Sequence, residues 1–349
     1  MSNPLIIIMG EIDNMKKLKL STKARLKKKI AINTYDRIYA SKVFDYSDGS
    51  GLDPEKMIIG GTGFDLKVNL PPEVERLQPD YTPYNYPHNI GFTMRGCRFR
   101  CKFCVVPEKE GAPYENNTIK EIWQQRDSDF VVLLDNDFFG NPAWADRIKE
   151  MRQHDLRVSF SQGLNIRIIT DEQAKALASV HFRNLSGKKK QVHFAWDQWG
   201  KGTEKLINEG IDRVVAAGIK PYQMAFFVLI GWHTTEEQDL YRIDKLHDRG
   251  CDVFVMPYNR KDPYQKALSR WNNRHIWRSV QWPDYRYGGW RPKQQQAYKA
   301  RRAMMTIKKV KGGYRLVSKT GRNLGTSKTK AGAKKRERQV QYFKHKKGS

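Results

Sequence analysis

The chain has 349 residues, with 64 lysines and arginines against 37 acids, a net charge of +27, 39% hydrophobic residues and four cysteines. That length and apolar content suffice for one large α/β domain with appendages, and no run of about 18 apolar residues is present to span a bilayer. Four cysteines are too few for a disulfide framework, which predicts a reducing, cytoplasmic setting with no membrane partner.

The charge is unevenly placed. Residues 291–349 hold 20 basic residues and one acid, Glu337, whereas the first 290 hold 44 and 36. A nearly neutral body with a basic tail predicts a polyanionic partner, nucleic acid (DNA or RNA) first among them. The competing reading is a solubilising or disordered tail.

In chain order, MSNPLIIIMG reads as a first core strand and not as a signal peptide, because no basic residues precede the apolar run and no cleavage site follows. KKLKLSTKARLKKKIA reads as a basic helix and DRIYASKVFDY as a second strand. GGTGFDLKVNLPPEVERLQPDY is rich in Gly and Pro and reads as a connector. Its Gly60, Gly61 and Gly63 lack the Lys-Ser/Thr of a phosphate loop. Residues 1–88 are therefore expected to form a truncated Rossmann-like region with its connector.

From residue 89 to 290 strands and helices alternate. Strands are predicted at IGFTM (90–94), FVVLLD (130–135), RVSFSQ (157–162), QVHFAWD (191–197), QMAFFVLIG (223–231) and CDVFVMPY (251–258). NPAWADRIKEMRQHD, TDEQAKALASVH, GTEKLINEGIDRVVAAG and TTEEQDLYRIDKLHDRG are amphipathic helix patterns between them. Near-continuous apolar strands joined by helices imply a parallel sheet, and six βα units suit a partial or full barrel with its chemistry at the strands' C-terminal ends. Trp271, Trp277, Trp282 and Trp290 are expected to pack a closing helix, with base stacking as the alternative. In residues 291–349, GGYRLVSKTGRNLGTSK and TKAGAKKRERQVQYFKH predict a small basic ββα module.

CRFRCKFC (97–104) places Cys97, Cys101 and Cys104 at C-x3-C-x2-C on the loop after the first of these strands. Thiolates so close favour a soft metal or an iron–sulfur cluster, while a structural zinc site usually takes four ligands from two separated pairs. Cys251, about 150 residues on, reads as a buried core residue. Three thiolates on a four-iron cluster leave one iron open.

With Phe103 before the third cysteine, the motif resembles the radical S-adenosylmethionine (radical SAM) signature C-x3-C-x-φ-C, in which φ is aromatic. The likeness extends over roughly residues 35–290, through GFTMRGCRFRCKFCVVPEKEG, LLDNDF, SQGLNIR, FAWD, VLIGWHTTEEQDLYRI and FVMPYN. These look like the strand ends of a radical SAM subfamily whose members resemble the cobalamin-binding and methylthiotransferase-like branches, and the likeness implies a partial (β/α)6 TIM-like barrel. The D-x-H-x-x-G corrin motif of the cobalamin-binding branch is absent, and the N-terminal region is too short for a complete cobalamin domain. The resemblance implies that Cys97, Cys101 and Cys104 bind a 4Fe–4S cluster. S-adenosylmethionine would chelate its open iron and be split to a 5′-deoxyadenosyl radical, with a reductant such as flavodoxin or ferredoxin as electron donor.

It also implies SAM contacts at strand ends. These are Phe103 in the loop, Asp135 and Asn136 after the second strand, and Gln162, Asn165 and Arg167 after the third. Asp197, Gly231 and Met256 end the next three strands. Arg167 suits the SAM carboxylate and Asp197 the ribose hydroxyls. Each equally fits a helix cap or a loop hydrogen bond. His193 reads as a core histidine, His233 as an acid–base group, and Glu108, Lys109 and Glu110 as a solvated loop. The expected activity is modification of a DNA or RNA base, which would have to be flipped or single-stranded to reach the barrel mouth. The alternatives are a peptide or small-molecule substrate, or a non-enzymatic iron–sulfur protein that binds nucleic acid.

Overall fold

Three parallel strands open the chain, β1 (Pro4–Ile8), β2 (Arg37–Ser41) and β3 (Ile58–Gly60), side by side in that order. The computed structural model describes residues 4–8, 37–42, 44–45, 53–77, 87–124, 127–290, 305–318, 323–334 and 336. The basic stretch 16–31 lies outside them. Ile38, Ala40, Met57 and Ile59 form the small core of this sheet, and β3 is a strand that the sequence reading did not assign. Gly61 takes a φ of +96°. Gly63 donates to Lys42 O, and a Cβ on it would come within 2.2 Å of the Phe44 carbonyl carbon. These glycines allow close backbone approach between two segments. A short helix, α1 (Pro72–Glu75), follows.

The next strands are β4 (Asn89–Gly91) and β5 (Met94–Arg95), then α2 (Val106–Lys109), β6 (Tyr114–Glu115) and α3 (Ile119–Trp123). After them come β7 (Phe130–Leu133), α4 (Trp144–Gln153), β8 (Arg157–Phe160), α5 (Asp171–Ala178) and β9 (His181–Phe182). β10 (Val192–Ala195), α6 (Thr203–Ala216), β11 (Met224–Ile230), α7 (Glu236–Asp248) and β12 (Asp252–Pro257) complete the pattern.

The chain is thus a mixed α/β protein with parallel sheets. β4-β7-β8-β9 form one and β10-β11-β12 another. A parallel bridge between Leu164 and Phe194, with Leu164 N donating to His193 O at 2.8 Å, links the loop after β8 to β10. The six expected strands therefore lie in sequence order. Among the described residues no pairing joins β12 back to β4.

Burial follows the layering. All four residues of β7 are buried, as a parallel strand covered on both faces requires. Helices α3, α5 and α7 start at Thr118, Thr170 and Thr235, each in a capping box with the Glu or Gln three residues on.

Two expectations are corrected here. The predicted strand 90–94 is broken, because Thr93 N and Met94 N donate to the Asp135 carboxylate and not to a neighbouring strand. α5 stops at Ala178, and His181, the last residue of its predicted pattern, begins β9.

The chain divides into two compact units, Met1–Tyr258 and Asn259–Ser349. In the second, α8 (Pro263–Asn273) is followed by an aromatic cluster. Trp282 stands 4.9 Å from Trp290 and 5.3 Å from Trp271, ring centre to ring centre, and Trp271 Nε1 donates to Val280 O. Further on, β13 (Met305–Val310), β14 (Gly313–Ser318) and β15 (Asn323–Ser327) form an antiparallel sheet, and residues from 330 to 334 are helical. The module expected as ββα has a third strand, MTIKKV, whose paired lysines break the apolar alternation that marks strands. Among the described residues no helix is long and apolar enough to cross a membrane.

Candidate functional site: the cysteine loop

The loop that bears the three cysteines leaves the sheet after β4 and is clamped by carboxylates at the end of β7. Asp135 is buried and accepts Thr93 N at 2.7 Å, Met94 N at 3.3 Å and the Thr93 hydroxyl. Burial pushes its carboxyl up to about 6 against these donors. Asp137, also buried, takes a two-pronged contact from Arg98, Nε at 2.6 Å and Nη2 at 2.9 Å.

From the far side, Glu110 accepts Gly96 N at 2.8 Å and Asn136 Nδ2 at 3.0 Å, and it pairs with Arg95 at 3.3 Å. Lys109 Nζ donates to Leu66 O and Val68 O. The expectation of a solvated loop at Glu108–Glu110 is therefore corrected. Lys109 and Glu110 tie the loop to the connector and to its own base, and only Glu108 is exposed.

Cys97, Cys101 and Cys104 are all half-buried. Cys104 N donates to Cys101 O at 2.9 Å. Burial pushes the Cys97 thiol up to about 11, and the Asp137 carboxylate and the other two cysteines add to the rise. The Cys101 thiol is raised by burial and then by Cys104. The thiols are therefore near enough to oppose one another's ionisation, and a bound soft cation would relieve that cost.

Donors are already aimed at sulfur: Phe99 N lies 3.4 Å from Cys97 Sγ and Gln198 Nε2 lies 3.5 Å from Cys101 Sγ. Such N–H···S contacts fit thiolate ligands of an iron–sulfur cluster. Among the described residues no three His, Cys, Asp or Glu side chains form a set ready to hold a metal ion.

The loop meets the ends of the later strands. Arg167 lies with Gln198, Cys101, Phe99 and Ile168 around an open pocket of about 270 Å³. Asn165 Oδ1 accepts from the Arg167 backbone N and Nε, and Arg167 Nη1 donates to Gln198 Oε1 at 3.3 Å. Because a guanidinium only donates, this contact turns the Gln198 amide so that its N–H₂ faces Cys101.

Phe103 stands edge-on to Trp232, which in turn meets Tyr258 beyond β12. Asp197 Oδ1 accepts Leu229 N at 3.1 Å, and burial pushes its carboxyl up to about 6 although Arg242 and Arg167 pull the other way. Gly231, at φ +75°, gives its N–H to Thr234 Oγ1 and Asp239 Oδ2.

The structure thus brings Cys101, Asn165 and Arg167 together, with Phe103 on the same loop against Trp232 and Asp197 just beyond the end of β10. Asp135 and Asn136 serve the loop from beneath, Gln162 is exposed, and Met256 is half-buried on β12. Cys251 is buried at the start of β12, the end remote from the loop, and burial pushes it up to about 12. His193 stacks on Phe227 at 5.1 Å, and burial lowers its pKa. His233 adopts φ +50° beside Trp232.

Sequence reasoning missed Arg98, Asp137, Gln198 and Arg242. Asp137 had a signal, a second acid in LLDNDF. Arg242 had none: it sits in an amphipathic helix, yet it is fully buried, pairs with Asp239 at 2.6 Å, and donates to Trp196 O and Leu229 O, both at 2.7 Å. It braces the ends of β10 and β11 behind Asp197.

A scan against protein-family models and a search of curated proteins each returned no match.

Proposed function

We propose that this chain is a radical SAM enzyme whose strands β4, β7, β8, β10, β11 and β12 make the partial (β/α)6 barrel of that class. The observation that supports the reading best is the placement of C-x3-C-x-F-C at the C-terminal ends of parallel strands, in contact with the strand-end residues Gln198 and Trp232. Cys97, Cys101 and Cys104 would hold three irons of a 4Fe–4S cluster. When bound, the cluster supplies the electron that splits S-adenosylmethionine into methionine and a 5′-deoxyadenosyl radical. Cobalamin has no support in the sequence.

The chain's own residues bind and orient. Arg167 stands beside Cys101 at the pocket wall, where its guanidinium suits the carboxylate of the methionine moiety. Asp197 follows β10 just before Gln198, and Phe103 packs the loop on Trp232 after β11. The substrate is a DNA or RNA base, held near the enzyme by the basic tail, and a flavodoxin or ferredoxin supplies the electrons. The setting is cytoplasmic.

The test is anaerobic reconstitution with iron and sulfide, reduction with dithionite, and assay of S-adenosylmethionine. Release of 5′-deoxyadenosine and methionine is expected. Tightly held zinc with no cleavage would refute the proposal.

A further inference from the structure

The C-terminal sheet has two unlike faces. Register places Ile307, Leu316 and Gly325 in one row across the three strands, and Lys308, Arg315 and Thr326 in the next. Side chains of adjacent rows point to opposite faces. The first face is covered. Leu316 and Ala333 are buried, Thr329 Oγ1 accepts Gly332 N at the start of the helical segment, and Arg336 lies across Gly325 with its Nε donating to Leu324 O. On the other face the middle row, Lys308, Arg315 and Thr326, is exposed, whereas Val317, two residues from Arg315 on the same side, is buried. Like charges directly opposite across a ladder destabilise it. Lys308 nevertheless faces Arg315, and among the described residues neither has a carboxylate partner.

We infer that this exposed basic row is the docking surface for double-stranded DNA, lying in the major groove with Lys308 and Arg315 on the phosphates that line it. The inference rests on the nucleic-acid reading of the basic tail and adds where, and to which form, the chain binds. Lys308 and Arg315 sit opposite each other on the β13–β14 pair, and the B-form major groove, about 12 Å wide, admits a two-stranded ribbon. The deep, narrow major groove of A-form RNA does not admit such an element. Among the described residues no large hydrophobic side chain is exposed on this sheet, so the apolar anchor of a bilayer surface is missing. Two cations and a small hydroxyl fit a groove lined by phosphates.

The experiment measures binding of the full chain to a labelled DNA duplex of mixed sequence, and to the matched RNA duplex, over a salt series. Lys308→Ala/Arg315→Ala is compared with Lys188→Ala/Lys189→Ala, which removes the same charge from an exposed stretch of the first unit, and with the charge-keeping Lys308→Arg/Arg315→Lys. The expected result is a loss of about tenfold in the first variant only, with the slope of log affinity against log salt falling by roughly two, near 0.9 per lost phosphate contact. Equal weakening of both alanine pairs would overturn the surface and leave the nucleic-acid reading standing. A charge-keeping pair as weak as the first would also overturn it, and RNA duplex bound as tightly as DNA would overturn the groove. No binding by the unaltered chain to any nucleic acid at about 50 mM salt would refute the underlying reading itself.

Discussion

Beside Cys97, Cys101 and Cys104, Arg98 is answered by Asp137 and Arg95 by Glu75 and Glu110. On the C-terminal sheet Lys308 and Arg315 face each other across the ladder, and among the described residues no acid stands between them. Both regions set like groups side by side. In the first, buried carboxylates hold a loop in place, and burial together with the neighbouring cysteines raises the Cys97 and Cys101 thiols. In the second the exposed Lys308–Arg315 pair leaves the repulsion open to solvent. Local electrostatic conflict of this kind is tolerated at functional sites, and the proposed function gives the two regions partners of opposite charge, a cluster of metal ions and a polyanion.

The largest effect that separates the two regions is expected from deleting residues 305–349. Nucleic-acid binding should weaken by at least about tenfold, some 1.4 kcal/mol, at moderate salt. Iron content and slow cleavage of S-adenosylmethionine should survive, and their loss would show that the two regions are not separable.

A second effect, on stability and not on binding, concerns Asp135, the residue that breaks the first strand. Its carboxyl is raised from about 4 to about 6 by burial, so between those values the folded chain holds a proton that the unfolded chain releases. Stability from this group is therefore present below about pH 4 and is lost as pH rises through about 6. Asp135→Asn keeps an acceptor for the two backbone N–H groups and should flatten this dependence by on the order of 2 kcal/mol, read from urea midpoints at about pH 4.5 and pH 7.5. Identical profiles for both proteins would contradict the role.

The smallest effect is expected at Gln198. Gln198→Leu removes the N–H···S contact to Cys101 and should leave iron content unchanged while moving the cluster's reduction potential to a more negative value. An unchanged potential would reduce Gln198 to a wall of the pocket.

The six strands of the first unit were legible because apolar runs such as MAFFVLI (224–230) have no helical period, and helix starts were legible in the Thr-x-x-Glu/Gln boxes. The loop's position followed from the order of strands. What holds the loop was not legible. Lys109 and Glu110 read as exposed charges, and only the fold brings Leu66, Val68, Gly96 and Asn136 to them. Gln198 falls one residue beyond a predicted strand end, and its role depends on Arg167, 31 positions away. β3 and β13 escaped because three residues, in one case, and two adjacent lysines, in the other, leave no alternation to read.

The most direct test of the central claim is iron analysis after anaerobic reconstitution of the unaltered chain, Cys101→Ala and Cys251→Ala, since the two cysteines differ in exposure and in which strand end they occupy. The account predicts about four irons per chain in the unaltered protein and in Cys251→Ala, and loss of the cluster in Cys101→Ala. Full iron content in Cys101→Ala, or its loss in Cys251→Ala alone, would contradict it.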